Sequence, residues 1–224
     1  AVAVVIPVLT VDSHLVQLPE VLRALQAQDQ LPDEVIVVGH RIGELARPYL
    51  AAYSTLPVRL VENPSGTIPA GLNLGLAAAQ PEFIVRLDVH ARPHPDYLRR
   101  CLETLTTSKA EMVGGRLEIR SRRANAVAEA IALAVGHPLG AGDARYRLQS
   151  QARAGDVDIV PYACFRKSLW ERARGFDESL LANEDYEFCW RVRRAGGRVR
   201  FDPALRSTYF PRPRQANAVK KRIA

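Results

Sequence analysis

The stretch Phe83-Ile84-Val85-Arg86-Leu87-Asp88-Val89-His90 is an apolar run that ends in a carboxylate and an imidazole two residues apart. Residues two apart on an extended chain point the same way. Asp88 and His90 are therefore expected to reach one point just past the end of a strand. Carboxylate oxygen is a hard ligand, and imidazole suits manganese better than magnesium. A divalent cation held there would neutralise a diphosphate. The same residues also read as a strand-ending Asp in a turn with a surface His.

Working back from this strand, a helix is expected from about Pro69 to Ala79, and Val58 to Val61 reads as a strand. Before it come a helix near Gly43 to Tyr53 and the strand Glu34 to Val38, ended by Gly39. Leu15, Leu18, Val21, Leu22 and Leu25 recur at helical spacing behind Asp12-Ser13, a good N-cap pair. The chain opens on Val2-Ala3-Val4-Val5-Ile6, a continuous apolar run of the kind buried on both faces of a parallel sheet, stopped by Pro7. Strands alternating with helices imply right-handed βαβ units, with ligands beyond the carboxyl ends of the strands. Pro7, Gly39, Asn63 to Gly66 and Asp88 all fall at such ends, so four loops are expected to converge on one crevice.

Working forward, the pattern changes after residue 95. The sequence predicts a helix through Tyr97, Leu98, Cys101, Leu102 and Leu105, and a strand from Met112 to Ile119. An apolar helix is expected from Ala124 to Val135, a loop from Gly136 to Gly155 and a strand from Asp158 to Ala163. Short helices follow at Arg166 to Arg172 and at Asn183 to Ala195. No linker, repeat or low-complexity segment interrupts the 224 residues, so one domain is expected, with residues 1–95 as a nucleotide half and 96–224 as an acceptor half.

Composition is that of a globular protein, 47% hydrophobic and 25% charged. No apolar run approaches the roughly 20 residues that cross a bilayer, and no signal peptide is read at the start. Cys101, Cys164 and Cys189 lack metal-type spacing and read as reduced, buried thiols of a cytoplasmic protein. The net charge of +7 gathers at Arg120-Ser121-Arg122-Arg123 and from Arg191 to Arg222. Such clusters are either a solvated face or a contact for an anionic partner. Aromatic residues do not interleave with them, which argues against nucleic acid.

Asn183-Glu184-Asp185 opens the last helix. Acids in a first turn are explained by the helix dipole, which suffices for Glu184 and Glu187. Asp185 shares a helical face with Phe188, Cys189 and Val192, so it is expected to point inward, as a candidate general base. Glu187 and Arg191 are spaced for a surface ion pair. Gly66 allows a ligand close to the backbone. Gly71 and Gly75 read as close helix–sheet packing, and Asn73 as either packing or a contact to a base or ribose. Gly136 to Gly142 reads as a lid or a long surface loop, with Arg145 and Arg147 placed to clamp phosphates.

These pieces together resemble the inverting family-two glycosyltransferases of the GT-A fold, most closely the succinoglycan-biosynthesis glucosyltransferase type. The matching segments are Val5 to Val8, Glu34 to Val38, Asn63 to Gly75, Arg86 to Ala91, His137 to Arg147, Gly175 to Glu178 and Asn183 to Asp185. The resemblance implies an α/β fold with a Rossmann-like, mostly parallel sheet, helices on both faces and a mixed acceptor-side half. It implies a nucleotide diphosphate-sugar donor, usually UDP-linked, and a divalent metal, Mn2+ or Mg2+, at Asp88 and His90. The nucleotide-binding candidates are Pro7, Val8, Leu9, Gly66, Asn73, Arg86 and Asp88. The catalytic candidates are Asp185, as the base, and Glu184. The acceptor is expected to be a lipid-linked or polysaccharide hydroxyl at the inner face of a membrane, to which the basic tail gives a peripheral contact.

The chain departs from that pattern at Leu9-Thr10-Val11-Asp12, where most relatives carry Asn-Glu, and at Gly39-His40, where most carry an Asp pair for the uridine. Asp12 or Glu62 are the nearby acids that would compensate. His90 replaces the Asp of the broad family and matches the succinoglycan type. The altered Gly39-His40 motivates an alternative, a non-catalytic nucleotide-sugar-binding protein on the same fold.

Overall fold

The computed structural model describes residues 1–9, 12–121, 129–130, 133–134, 136–137, 144–147 and 153–210, with residues 12 and 13 as backbone only. The expected helix from Ala124 to Val135, much of the loop from Gly136 to Gly155 and the basic tail after residue 210 lie largely or wholly outside the described residues.

The amino-terminal strands β1 (Val2–Val8), β2 (Glu34–Gly39), β3 (Val58–Glu62) and β4 (Phe83–Arg86) lie parallel in the order β3-β2-β1-β4. Their carboxyl ends therefore share one edge. The run of β1 is apolar throughout because both faces are covered. Val2, Val4, Ile6 and Val8 join one core, and Ala3 and Val5 join the other. Pro7 does not stop the strand. In a parallel strand alternate residues address opposite neighbours, and Val5 O accepts from Leu87 N at 3.0 Å. Pro7 therefore faces the β4 side beyond the last β1–β4 pair, Val5 with Arg86, where its missing N–H costs no ladder bond.

Between these strands the helices are more broken than their periodicity predicts. The first divides into α1 (Asp12–Leu15) and α2 (Leu18–Gln26). Pro19 sits in the first turn of α2, where a missing N–H is tolerated, and it would break a continuous helix. All five periodic leucines and valines are nevertheless buried. Residues 42–53 form α3 (Ile42–Leu45), α4 (Arg47–Leu50) and a 3-10 turn (Ala51–Tyr53), with Pro48 opening α4. Helix α5 (Ile68–Ala78) crosses β1 and β2 so closely that a Cβ on Gly75 would meet Val5 and Val38 at 2.6 and 2.8 Å. The glycines here are packing residues.

The later half extends the same sheet with strands of mixed direction. After β5 (Arg92–Pro93), α6 (Tyr97–Ser108) leads to β6 (Met112–Ile119). Then come β7 (Gly155–Asp156), β8 (Cys164–Arg166), α7 (Lys167–Arg172), α8 (Glu184–Arg194) and β9 (Val199–Tyr209). The order continues β4-β8-β6-β9-β5, with β7 beside β9. The β6–β9 ladder is parallel and long, whereas the β4–β8, β6–β8, β5–β9 and β7–β9 ladders are short and antiparallel. The sheet is thus mostly parallel by length. Helices α2 and α6 pack on one face, and α5, α7 and α8 on the other.

The expected strand from Asp158 to Ala163 is absent, and the strand is Cys164–Arg166 instead. Pro161 has no donor for a ladder, and Tyr162 adopts a left-handed φ of 48°. The apolar residues that suggested a strand are still buried: Val160, Tyr162 and Ala163 belong to the two cores. All three cysteines are buried and unpaired.

Candidate active site

Arg86 ends β4, and its side chain shares a side with that of Asp88 as alternation requires, with Nη2 2.9 Å from Asp88 Oδ1. His90 reaches the same point by a different route from the one periodicity suggests. Ala91 N donates to Asp88 O at 2.9 Å, so Asp88 to Ala91 form a turn rather than extended chain. That turn folds the imidazole back, and His90 Nε2 stands 3.3 Å from Asp88 Oδ2. Tyr209, at the end of β9, meets the His90 ring edge-on at 5.5 Å.

From across the site, α8 brings Glu184 and Asp185. Glu184 Oε1 lies 3.3 Å from the same Arg86 Nη2. Glu184 is the buried member of the pair and Asp185 is half-buried. The dipole explanation for Glu184 is therefore incomplete, because its carboxylate is an ion-pair partner inside the protein. Asp185 lines a small cavity with Arg86, Tyr162, Phe176 and Phe188, and its Oδ1 accepts its neighbour Tyr186 N at 2.8 Å. The turn into α8 differs from the expected cap: Asn183 has a left-handed φ of 64° and makes no side-chain capping bond.

The electrostatics follow from this packing. Burial would lower the Arg86 pKa, but the carboxylates of Asp88, Asp185 and Glu184 outweigh it and hold the guanidinium above its ordinary value. Burial pushes the Glu184 carboxyl up, against the pull of Arg86. Burial, with a contribution from the Asp88 charge, also pushes the Tyr162 phenol well up. Tyr162 joins the site unannounced by any sequence signal, since a lone aromatic reads as core.

Pro7 and Val8 form the carboxyl end of β1 on the same edge of the sheet, and Leu9 follows directly. Beside them Asn63 knits the next loop: its N donates to Gly39 O at 2.9 Å, and its Nδ2 to Thr67 O at 2.8 Å. Gly66 has a φ of 67°, and a Cβ there would stand 3.9 Å from His40 Cβ, so the loops after β2 and β3 touch. Glu62 takes the Arg41 backbone N–H and holds the Gly39-His40 turn.

Asn73 is spent on structure. Its Nδ2 donates to Phe176 O and Glu178 Oε1 at 2.9 and 2.8 Å, while its Oδ1 accepts from Trp170 Nε1 and Phe176 N at 3.0 and 2.8 Å. Three of these four bonds fasten the Gly175 to Glu178 loop to α5, and the fourth ties α5 to Trp170 of α7. Asn73→Ala is expected to destabilise the protein by about 2–4 kcal/mol, because it strands several polar groups at once. Thermal denaturation checks this, and a change within noise contradicts it. Arg191 ties down the same loop from α8. It pairs with Glu187 as spaced, and also donates to Ala173 O and Gly175 O, so the pair is half-buried and not a surface one.

Arg145 and Arg147 flank Tyr146 in a 3-10 turn, with the Arg147 guanidinium 5.4 Å from the Tyr146 ring centroid. Among the described residues no group of three or more His, Cys, Asp and Glu side chains is assembled for a metal. Asp88 and His90 supply one oxygen and one nitrogen donor. That set fits a cation of the magnesium or manganese kind, which takes one or two protein ligands and completes its shell with phosphate and water.

The comparisons with known proteins agree with this geometry. Residues 1–224 match the model of the family "Glycosyltransferase like family 2". The chain is 31% identical over 207 residues to the pre-mycofactocin glycosyltransferase of Mycobacterium tuberculosis (strain ATCC 25618 / H37Rv), covering 90% of this chain and 41% of that one. It is 28% identical over 215 residues to the succinoglycan biosynthesis protein ExoA of Rhizobium meliloti (strain 1021), covering 93% and 63%. It thus spans less than two thirds of either relative. Among solved structures, the mannosyltransferase PcManGT of Pyrobaculum calidifontis, in complex with GDP-Man and Mn2+, superposes with a TM-score of 0.71 at 20% identity, over 99% of this chain and 60% of that one. S. aureus TarS 1–349 in complex with UDP gives 0.68 at 17% identity, over 99% and 64%. These structures speak for the fold, and the family match speaks for descent: the chain is a GT-A-fold glycosyltransferase domain and belongs to glycosyltransferase-like family 2.

Proposed function

We propose that this chain moves a hexose from a nucleotide diphosphate-sugar, of the UDP-linked class, to a hydroxyl of a lipid-linked or polysaccharide acceptor, with inversion at the anomeric carbon. The observation that carries this reading is the meeting of Asp88, His90 and the amino terminus of α8 around one buried guanidinium. In this reading Asp88 and His90 serve the diphosphate side, and Asp185, one residue beyond Glu184, serves the acceptor side. On the same reading residues 1–95 hold the donor and residues 96–224 the acceptor within one domain.

Asp88 and His90 would hold a divalent metal, Mn2+ or Mg2+; when bound, it supplies positive charge against the departing diphosphate. Asp185 takes the proton of the acceptor hydroxyl as that oxygen bonds to the anomeric carbon. The bond from that carbon to the diphosphate oxygen breaks on the opposite face. Pro7 to Leu9 and Gly66 offer backbone at the strand ends for the nucleotide. Among the described residues no helix is long and apolar enough to cross a membrane. A cytoplasmic domain that touches the inner face of an anionic membrane through its basic residues agrees with the +7 net charge.

Isothermal titration of UDP, GDP and dTDP with and without Mn2+ tests the reading. One nucleotide is expected to bind, and only with the metal. Absence of binding for all three overturns it, with Gly39-His40 as the altered position, and binding without sugar transfer favours the non-catalytic alternative. In the same assay Asp88→Ala is expected to weaken the metal-dependent affinity about 100-fold or more, since loss of groups merely adjacent to a metal ligand costs 10–100-fold. Unchanged affinity removes Asp88 from the site.

A further inference from the structure

The Arg86 side chain is buried at the junction of the two halves, and one nitrogen, Nη2, faces carboxylates from both. Asp88 Oδ1 lies at 2.9 Å in the donor half and Glu184 Oε1 at 3.3 Å in the acceptor half, 98 residues away in sequence. Side-chain exposure at Arg86 is 10% and at Glu184 12%, so solvent does little to screen the pair. Among the described residues Arg86 Nε has no hydrogen-bond partner. A buried cation left partly unsatisfied is a poor device for stability alone, since apolar packing of the same volume often does better. Its placement answers to the site instead.

We propose that Arg86 is a positioning residue that couples the metal-side Asp88 to the base-bearing helix α8. This inference rests on the site reading above and assigns Arg86 a contact different from a direct one to the nucleotide. The guanidinium fixes Asp88 Oδ1, which leaves Oδ2 turned toward His90 at 3.3 Å. Through Glu184 it also fixes the first turn of α8, and so the direction of Asp185 one residue on. Two carboxylates share this one buried cation, and Asp185 lines a small cavity with it. Without Arg86 the two carboxylates repel one another, and Asp88 and α8 move apart.

The test uses the full chain with Mn2+ and UDP as probes, and two readouts. Electron paramagnetic resonance of free Mn2+ reports metal binding in the presence of UDP. Release of UDP from UDP-glucose to water reports turnover without an acceptor. Arg86→Met is expected to weaken Mn2+ binding about 10-fold, as loss of a group that orients a metal ligand does. Its turnover should fall further than its metal affinity. Glu184→Gln keeps the shape and a neutral acceptor for Nη2. It should leave Mn2+ affinity near wild type and lower turnover, a split that a merely structural residue does not produce. In the double variant the turnover losses should overlap rather than multiply, because both act through one contact. Arg86→Lys, which keeps the charge but lacks the fork, should recover part of the Mn2+ affinity and little of the turnover. If Arg86→Met does not fold, Glu184→Gln and Arg86→Lys carry the test. Variants indistinguishable from a wild type that binds Mn2+ and UDP overturn the coupling alone. A wild type that binds neither overturns the site reading and the coupling with it.

Discussion

Asp185→Asn is expected to lower the rate of sugar transfer about 1,000-fold while leaving donor affinity within about twofold, because a positioned general base contributes 10²–10⁴ in rate. The amide keeps the size and the local hydrogen bond of the carboxylate, whose Oδ1 accepts Tyr186 N. It cannot take the acceptor proton. Glu184 does not stand in for it, since its carboxylate is turned inward onto Arg86. The stability cost is small. One acid lost from the first turn of α8 removes about 0.3–1 kcal/mol of dipole interaction, and Glu184 and Glu187 remain there. The measurement pairs transfer rate with Mn2+-dependent nucleotide titration. A variant within tenfold of wild type removes Asp185 from the base role. A variant that also loses donor binding makes the residue part of the donor pocket instead.

The inward placement of Asp185 was legible because it shares a helical face with Phe188, Cys189 and Val192, and it does line a small cavity with Phe188 and Cys189. That of Glu184 was not, because the helix dipole supplied a local explanation, and the ion pair that corrects it spans half the chain. Arg86 and Asp88 show how pattern and geometry diverge. Alternation correctly puts those two on one side, but His90 joins them through a turn that a period of two does not encode. Strands β1 and β2 could be read because they pair with each other and are covered on both faces, which leaves their runs continuously apolar. Strand β9 escaped notice for the opposite reasons. It carries Arg200 and Arg206 around Pro203, a composition that argues against a central strand, and its place depends on β6, far upstream. Proline explains most of the misplaced boundaries. Pro19 and Pro48 open new helices inside apparently continuous ones, Pro161 displaces a strand, and Pro7 sits harmlessly in one because its neighbour has already ended.

Pro203 also underlies the substitution with the largest expected structural effect. The β6–β9 ladder runs in register from Met112 with Val199 to Gly115 with Asp202, then resumes at Arg116 with Arg206. Pro203 to Leu205 are excluded as a bulge, since Pro203 cannot donate to the ladder, and Asp202 Oδ1 takes the Ala204 N–H at 2.9 Å to close it. The bulge presses the Leu205 backbone onto Gly115. A Cβ there would lie 1.8 Å from Leu205 O and 2.3 Å from Leu205 Cβ. Backbone cannot step aside as a flexible side chain does, and Leu205 is fully buried. Gly115→Ala must therefore open the bulge or shift β9, which carries Tyr209 against His90. The expected cost is about 3–4 kcal/mol, at or beyond the upper end for overpacking. In a chain of this size that lowers the melting temperature by about 6–16 °C. Gly43→Ala in α3 is the control, because nothing lies within 4 Å of its added Cβ, and a helical Gly→Ala there should be neutral or gain up to about 1 kcal/mol. Equal melting temperatures for the two variants would mean that the bulge yields. A large drop for Gly115→Ala, with weakened Mn2+-dependent binding in the fraction that folds, ties the β6–β9 bulge to the geometry around His90.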